Sequence, residues 1–533
     1  MPRSETSSYG SPNLRVPDDP QSHLPSPQSS HSSYSIVHPL HPQGAPRFSF
    51  GFDLVGMARL SELPIPRELA PLCSDAPNLE WQLRQELAQD AELFQTGYVP
   101  LDILDLDPRR CWQLKESFSS HVLPWCPIID QRECTEVVSR AVERGFEPYS
   151  LETAMALLVL AGGAFAAESQ HYSNEASSFP GLAYFRAACQ ILDLDRVTAH
   201  TIRNVQCHIL ASLYLLYSLR PLQAYEAIQR AATRVVFLLQ LEGGVLPADA
   251  AHHQRCLRAY WACYLIEHEL QVFVPWSSQL LQDLNETMAF PSSSGGRDED
   301  EPGMYFFLAE ITLRRIFSRP RHGTGWNQLY SIYEPLVAEE VSAQVTSWQA
   351  SLPATLQFPL DAEGDDRGGE ALPPPPILDP RRAFLRAQYY AVQTTLFWPY
   401  VVRMLSVAPA DAGLRTPAEA PEPAQVARLA ARALRFAVVH MFAVEPLLRY
   451  RHPMLLADQT GTYTITLLLA CAYGAEALRG VQHPRMGEAV AMGWRFLRVW
   501  EGNPGLRSRV GRIEALMRAK GIEEGWGTQE NYA

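Results

Sequence analysis

Apolar positions recur along this chain at spacings of three and four residues, while strict apolar–polar alternation is rare and short. A period near 3.6 predicts helices, and its recurrence through most of the chain predicts an all-α protein. The stretch from Pro180 to Gln240 shows the pattern best. A first helix is predicted over Leu182–Leu192, with Ala187, Ala188, Ile191 and Leu192 on its inner side. A second, Ile202–Leu219, places Val205, Ile209, Leu210, Leu213, Leu216 and Tyr217 in one wide apolar stripe. Thr201 is its predicted N-cap, and Pro221 is read as its stop because a proline cannot donate to the helical ladder. A third, Tyr225–Leu241, aligns Ile228, Ala231, Ala232 and Val235, then ends at Gly243–Gly244.

The same reading predicts helices over Asp107–Val122, Arg132–Arg144 (capped from Asp130) and Leu151–Ala167 (capped by Ser150). Gly162–Gly163 in the last of these either kinks it or lets another backbone approach closely. Further helices are predicted over Met304–Phe317, Trp326–Ser351, Arg381–Leu405, Ala424–Leu448, Leu455–Leu478 and Pro484–Trp500. No strict repeat period links them, so the fold expected is one large irregular multi-helix domain over 107–505, with flexible inserts near 292–303, 360–378 and 406–424. Residues 1–46 are rich in Ser, Pro, His and Gln and are expected to be a disordered tail. The linker 47–106 holds an amphipathic helix, Asn78–Gln95, with Leu79, Leu83, Leu87 and Leu93–Phe94 near one face. Packing on its own domain is the plainer reading; a dimerisation or docking helix is the other. Residues 506–533 are read as a C-terminal tail.

Composition narrows the function. Of 533 residues 47% are hydrophobic, enough for a sizeable core, and the net charge of −13 argues against general polyanion binding. Cations are nearly all Arg, the only lysines being Lys115 and Lys520. The 9 cysteines are scattered and odd in number, which reads as free buried thiols in a reducing compartment. Met1–Pro12 lacks the apolar core of a signal peptide, and the runs around Ala154–Ala167 and Thr462–Leu478 are too short or too polar to span a membrane, so an intracellular protein with no membrane partner is expected.

Candidate chemistry is sparse. There is no Cys-x-x-Cys pair. Neither lysine lies in a phosphate-binding Gly-Lys-Ser/Thr context, and no Gly-x-Ser-x-Gly elbow occurs. His268–Glu269 opens a His-Glu-x-x-His zinc motif, but Val272 stands where the second histidine is needed. His252, His253, Cys256 and His268 are more simply core or surface side chains than a metal cluster, and Asp102, Asp105 and Asp107 read as a solvated turn. No catalytic or metal-binding residue is assigned, and the protein is not expected to be an enzyme. Arg314, Arg315, Arg319 and Arg321 form the densest basic run, either a nuclear-import signal or the cation-rich end of a helix. Arg234, in an i, i+4 ladder with Glu226 and Arg230, is a candidate to reach Glu267.

One set of motifs carries a resemblance. Tyr184–Phe185–Arg186 is followed by Val205–Gln206, by Arg220–Pro221 with Ala224–Tyr225, and by Ala231 and Arg234. The segment Arg258–Ala259–Tyr260–Trp261–Ala262–Cys263–Tyr264–Leu265–Ile266–Glu267 comes next. Later, Tyr389–Tyr390 precede Pro399–Tyr400. In this order and spacing the chain resembles the middle homology region of fungal zinc-cluster transcription factors. The signature residues are Tyr184, Phe185, Arg186, Gln206, Arg220, Pro221, Arg234, Arg258, Trp261, Tyr264, Glu267, Tyr389 and Pro399, read as structural rather than ligand-binding. Trp398 stands where the family usually has Arg.

The resemblance implies a nuclear regulator of RNA polymerase II transcription, homo- or hetero-dimerisation with a family member, and a small-molecule effector. The family's DNA-binding module needs six thiolates around zinc, and this chain has no such module, so zinc is expected only with a module outside it. The Ser/Pro-rich stretch that follows Met1 reads as the linker after such a module. Two explanations stand side by side: a regulator naturally lacking the module, or a gene product read from downstream of the true first exon. DNA contact is then expected only indirectly or through a module missing from this chain. The alternatives are a co-regulator that pairs with a full-length family member and, third, a helical enzyme.

Overall fold

The computed structural model describes residues 99–169, 179–194, 200–242, 249–270, 284–292, 303–323, 335–360, 375–405, 422–449, 451–502 and 504–522, together with Glu86 and Leu281. The predicted tail, most of the Asn78–Gln95 helix and most of the three inserts lie outside these residues. Every regular element described is helical and no strand occurs among the described residues, so the all-α expectation holds.

The N-terminal half comprises α1 (Pro108–His121), α2 (Gln131–Glu143), α3 (Leu151–Ser169), α4 (Leu182–Leu194), α5 (Ile202–Tyr217), α6 (Pro221–Glu242) and α7 (Ala250–Leu270). The C-terminal half comprises α8 (Met304–Gly323), α9 (Pro335–Ser351), α10 (Pro380–Leu405), α11 (Pro423–Val444), α12 (Leu455–Ala472), α13 (Met486–Arg498) and α14 (Pro504–Lys520). Each half buries its own apolar core. Helices α5, α7, α10 and α12 are buried on nearly all sides.

Several starts were written locally. Asp107 caps α1 by accepting from the Arg109 amide at 2.9 Å, with Pro108 in the first helical position. Asp130 caps α2 through the Glu133 amide at 2.6 Å, and Thr201 caps α5 through the Asn204 amide at 3.3 Å. Pro221 does not stop α5 as expected. That helix ends at Tyr217, the chain turns through Leu219 at φ 58°, and Pro221 opens α6. A proline's missing N–H costs nothing in a first turn, where that donor has no helical acceptor.

The predicted Leu455–Leu478 helix ends early, at Ala472, because Tyr473 is extended and Gly474 adopts φ 69°. Lys520 Nζ then donates to the carbonyls of Cys471 and Tyr473, at 3.4 and 3.0 Å, placing a cation where the helix carries negative charge. The stretch assigned to a C-terminal tail begins instead with α14, whose Leu506, Val510, Ile513 and Met517 are buried. No helix among the described residues is long and apolar enough to cross a membrane.

Of the two readings of Gly162–Gly163, close approach is the one found. A Cβ on Gly163 would lie 2.0 Å from the carbonyl oxygen of Leu114 on α1. Helix α12 shows how a polar sequence is buried: Thr460, Thr464 and Thr466 each donate to the carbonyl four residues earlier, at 2.7–2.9 Å.

Candidate functional site

Helix α8 stands between the two cores. Met304, Phe307 and Ile311 face the N-terminal core, while Phe306, Ala309, Leu313 and Phe317 face the C-terminal one. At 100° per residue, Glu310 and Arg314 fall on the strip between these two faces. Both are almost fully buried, at 4% and 1% exposure. Arg314 contacts Glu269 of α7, lies 3.4 Å from Glu310, and donates to Gln388 of α10 at 3.4 Å. Asp458 of α12 and His452, just before α12, complete the group, with His452 Nε2 3.5 Å from Asp458 Oδ2. Trp125, from the turn between α1 and α2, crosses into the C-terminal core. Its ring stacks on His452 at 5.0 Å and meets Phe306 and Phe384 edge-on. A second tie runs the other way. Arg451 donates to the Tyr217 carbonyl at 3.3 Å and lies over the rings of Phe165 and Trp500.

This seam holds three carboxylates (Glu269, Glu310 and Asp458) against one guanidinium, with all four side chains at 6% exposure or less. Burial raises the cost of each charge, so the excess is removed by protons. Burial pushes the Glu310 carboxyl up to about 8. Burial, with Glu310 nearby and against the pull of Arg314, raises Asp458 well above the usual carboxylate range. Burial lowers Arg314 to about 9, which still leaves it charged at neutral pH. Burial lowers His452 to about 3, so it is neutral and donates through Nε2 to the Leu447 carbonyl at 3.1 Å. The seam thus sets one close ion pair, Arg314 with Glu269, beside a neutral Glu310 and an Asp458 carboxyl whose affinity for its proton is raised. Oxygens of Glu269, Glu310 and Asp458 and the Gln459 amide nitrogen are buried without a hydrogen-bond partner among the described residues.

A pH dependence follows. The folded state keeps the Glu310 proton up to about pH 8, whereas the unfolded chain releases it near 4.5. Stability therefore falls as pH rises through that window, at up to about 1.4 kcal/mol per pH unit for one proton. Glu310→Gln removes this slope. Urea unfolding should show the variant equal to the parent near pH 4.5 and increasingly more stable towards pH 8; parallel profiles would contradict the assignment.

The signature residues do not converge on the seam; they tie neighbouring elements together. Tyr184 donates to the Asp105 carbonyl at 2.6 Å, and Phe185 stacks on Tyr214 at 4.3 Å. Arg186 is half-buried on α4. Gln206 donates to the Ile128 carbonyl at 3.2 Å. Arg220 is fully buried, donates to Gln223 at 2.8 Å and lies over Phe179, while Pro221 opens α6. Arg234 donates to Asn204 of α5. Arg258 holds the Ser292 carbonyl at 3.1 Å and Trp261 the Ala289 carbonyl at 2.8 Å, pinning the 284–292 segment against α7. Tyr264 accepts from Asn285 at 3.2 Å, and Glu267 is buried on the same helix. Tyr389 meets the Thr346 hydroxyl at 3.1 Å, and Pro399 lies within α10 without ending it. Trp398 is fully buried, and its indole N–H has no acceptor among the described residues.

Of the Arg run, which lies in the C-terminal half of α8, Arg314 is a buried seam residue, and the Arg319 and Arg321 side chains lie outside the described residues. The aromatics Tyr214, Tyr217, Trp261, Tyr264, Tyr389, Tyr390 and Trp398 are all core residues, at 5% exposure or less. A groove of about 490 Å³ lies elsewhere, lined by Trp494, Arg495, Arg498, Val499, Glu501 and Gly502. No group of three or more His, Cys, Asp or Glu among the described residues is placed to hold a metal ion. Cys126 and Cys189 are pushed up to about 12 by burial and stay protonated.

A protein of Aspergillus rugulosus, "Putative transcription factor ecdB", is 25% identical to this chain over 364 residues, 65% of this chain and 61% of that relative. The chain thus matches about three fifths of the relative's length. No family model matches the chain. No solved structure matches it either.

Proposed function

We propose that this chain is the helical regulatory body of a fungal transcriptional regulator of the zinc-cluster class, acting in the nucleus on RNA polymerase II transcription. The observation that carries the reading is the distant similarity to a relative named as a transcription factor, over nearly two thirds of this chain. The ordered motifs from Tyr184 to Glu267 support it, because residues such as Tyr184, Gln206 and Trp261 tie neighbouring elements into one helical body. The sequence holds no Cys-x-x-Cys pair and carries a net charge of −13, so these 533 residues do not themselves grip DNA. DNA contact comes from a module outside them or from a paired family member. The co-regulator reading differs only in that choice.

In this reading the seam is the element an effector or partner acts on. A buried polar cluster around the Arg314–Glu269 pair, set between two apolar cores, is the place where a small change in charge or contact can alter how the cores meet. Transcript profiling of a deletion strain against the same strain carrying the restored gene tests the function. A discrete set of genes should change and return on restoration. Identical profiles under growth conditions in which the protein is abundant would overturn the proposal.

A further inference from the structure

Helix α6 begins with a defect that its own sequence does not repair. The residue before it is Arg220, whose side chain has no oxygen to accept from the exposed amides of the first turn. Pro221 has no amide, so the first donors are the N–H groups of Leu222 and Gln223. Both are taken by one carboxylate from far upstream. Glu86 Oε1 accepts from the Leu222 amide at 3.0 Å and Oε2 from the Gln223 amide at 3.2 Å. Glu86 is 3% exposed.

The sequence explains why a charge is buried there. In the helix predicted over Asn78–Gln95, at 100° per residue, Glu86 falls about 20° from Leu79 and Leu93 and about 60° from Leu83. It is thus an acidic residue near one edge of the apolar face formed by Leu79, Leu83, Leu87, Leu93 and Phe94, flanked there by Leu79 and Leu93. Such a face docks only where the carboxylate meets donors, and the positive end of α6 supplies two. Reach is no obstacle. Val99, whose amide donates to Gln190 of α4 at 3.2 Å, is thirteen residues from Glu86 (99 − 86), a span of up to about 45 Å.

We propose that the surface around Arg220–Pro221 at the start of α6 is the docking site for this chain's own Asn78–Gln95 segment, with Glu86 as a latch that caps α6 and sets the docking register. An apolar helix alone could slide along the body by a turn; a two-amide contact at one residue cannot. The Arg220–Pro221 motif thereby gains a role as the receptor for that segment, independent of what the body regulates.

The test uses the full chain with Glu86→Gln and Glu86→Ala, read by hydrogen exchange and by limited proteolysis. Exchange at the Leu222 and Gln223 amides should rise about tenfold in both variants, cleavage within 78–95 should quicken, and α12 should exchange as in the parent. Unchanged exchange at those two amides would overturn the proposal, as would an equal rise throughout α12, since a general loss of structure is not release of a docked segment. Should neither variant accumulate, Leu83→Ser removes apolar area from the same face. It should give the same local pattern, and its absence there would equally overturn the proposal.

Discussion

Methionine in place of Arg314 is expected to destabilise the protein by about 3–5 kcal/mol at pH 7, the range for breaking a buried ion pair by removing one partner. The side chain is 1% exposed and is the cation of a seam that also holds Glu269, Glu310 and Asp458. Without it, Glu269 must remain charged in a site with no counter-ion or take up a proton, and either outcome costs free energy in the folded state alone. Pairing Arg314→Met with Glu269→Gln should restore a good part of the loss, because the neutral pair leaves no charge uncompensated. Chemical unfolding of both variants measures this. Arg314→Met with parental stability, or a double variant weaker than the sum of the singles, would contradict the assigned pairing.

Gly163→Val should cost about 3 kcal/mol or more and leave little soluble protein, the upper range for forced overpacking. The added Cβ would lie 2.0 Å from the Leu114 carbonyl oxygen and 2.7 Å from its carbon. Both are backbone atoms, so no side chain can swing aside; α1 and α3 must separate. The neighbouring glycine serves as the control. A Cβ on Gly162 meets the Phe118 ring at 3.0 Å, and a side chain can give way by a few tenths of an ångström. Gly162→Ala should therefore melt within a few degrees of the parent while Gly163→Ala falls well below it. Equal melting would mean that α1 and α3 are not in this contact.

What could be read from the sequence was what local chemistry dictates. Asp130, Ser150 and Thr201 each cap a helix within three residues of themselves, and all three caps are present. Pro221 was misread because a proline is compatible with both ends of a helical segment: it stops one helix and suits the first position of the next. Helix α14 carried a helical stripe in Leu506, Val510, Ile513 and Met517, interrupted by four arginines that drew the reading towards an exposed tail. The seam could not be read. Glu269 and Arg314 are 45 residues apart, on different helices, and Asp458 and His452 come from a third region. A hint was nonetheless present: Glu310 and Arg314 are an i, i+4 charge pair placed between two apolar faces of one helix. Similarly, an acidic residue on the apolar face of Asn78–Gln95 pointed to a buried partner, though not to which helix supplies it.

The central claim, that this helical body belongs to a regulator of transcription, is tested most directly by chromatin immunoprecipitation of the epitope-tagged chain expressed from its own locus. Enrichment at a limited set of promoters is expected, with no sequence-specific binding by the purified chain at physiological salt. A chain absent from chromatin and from the nucleus under every condition in which it is expressed would contradict it.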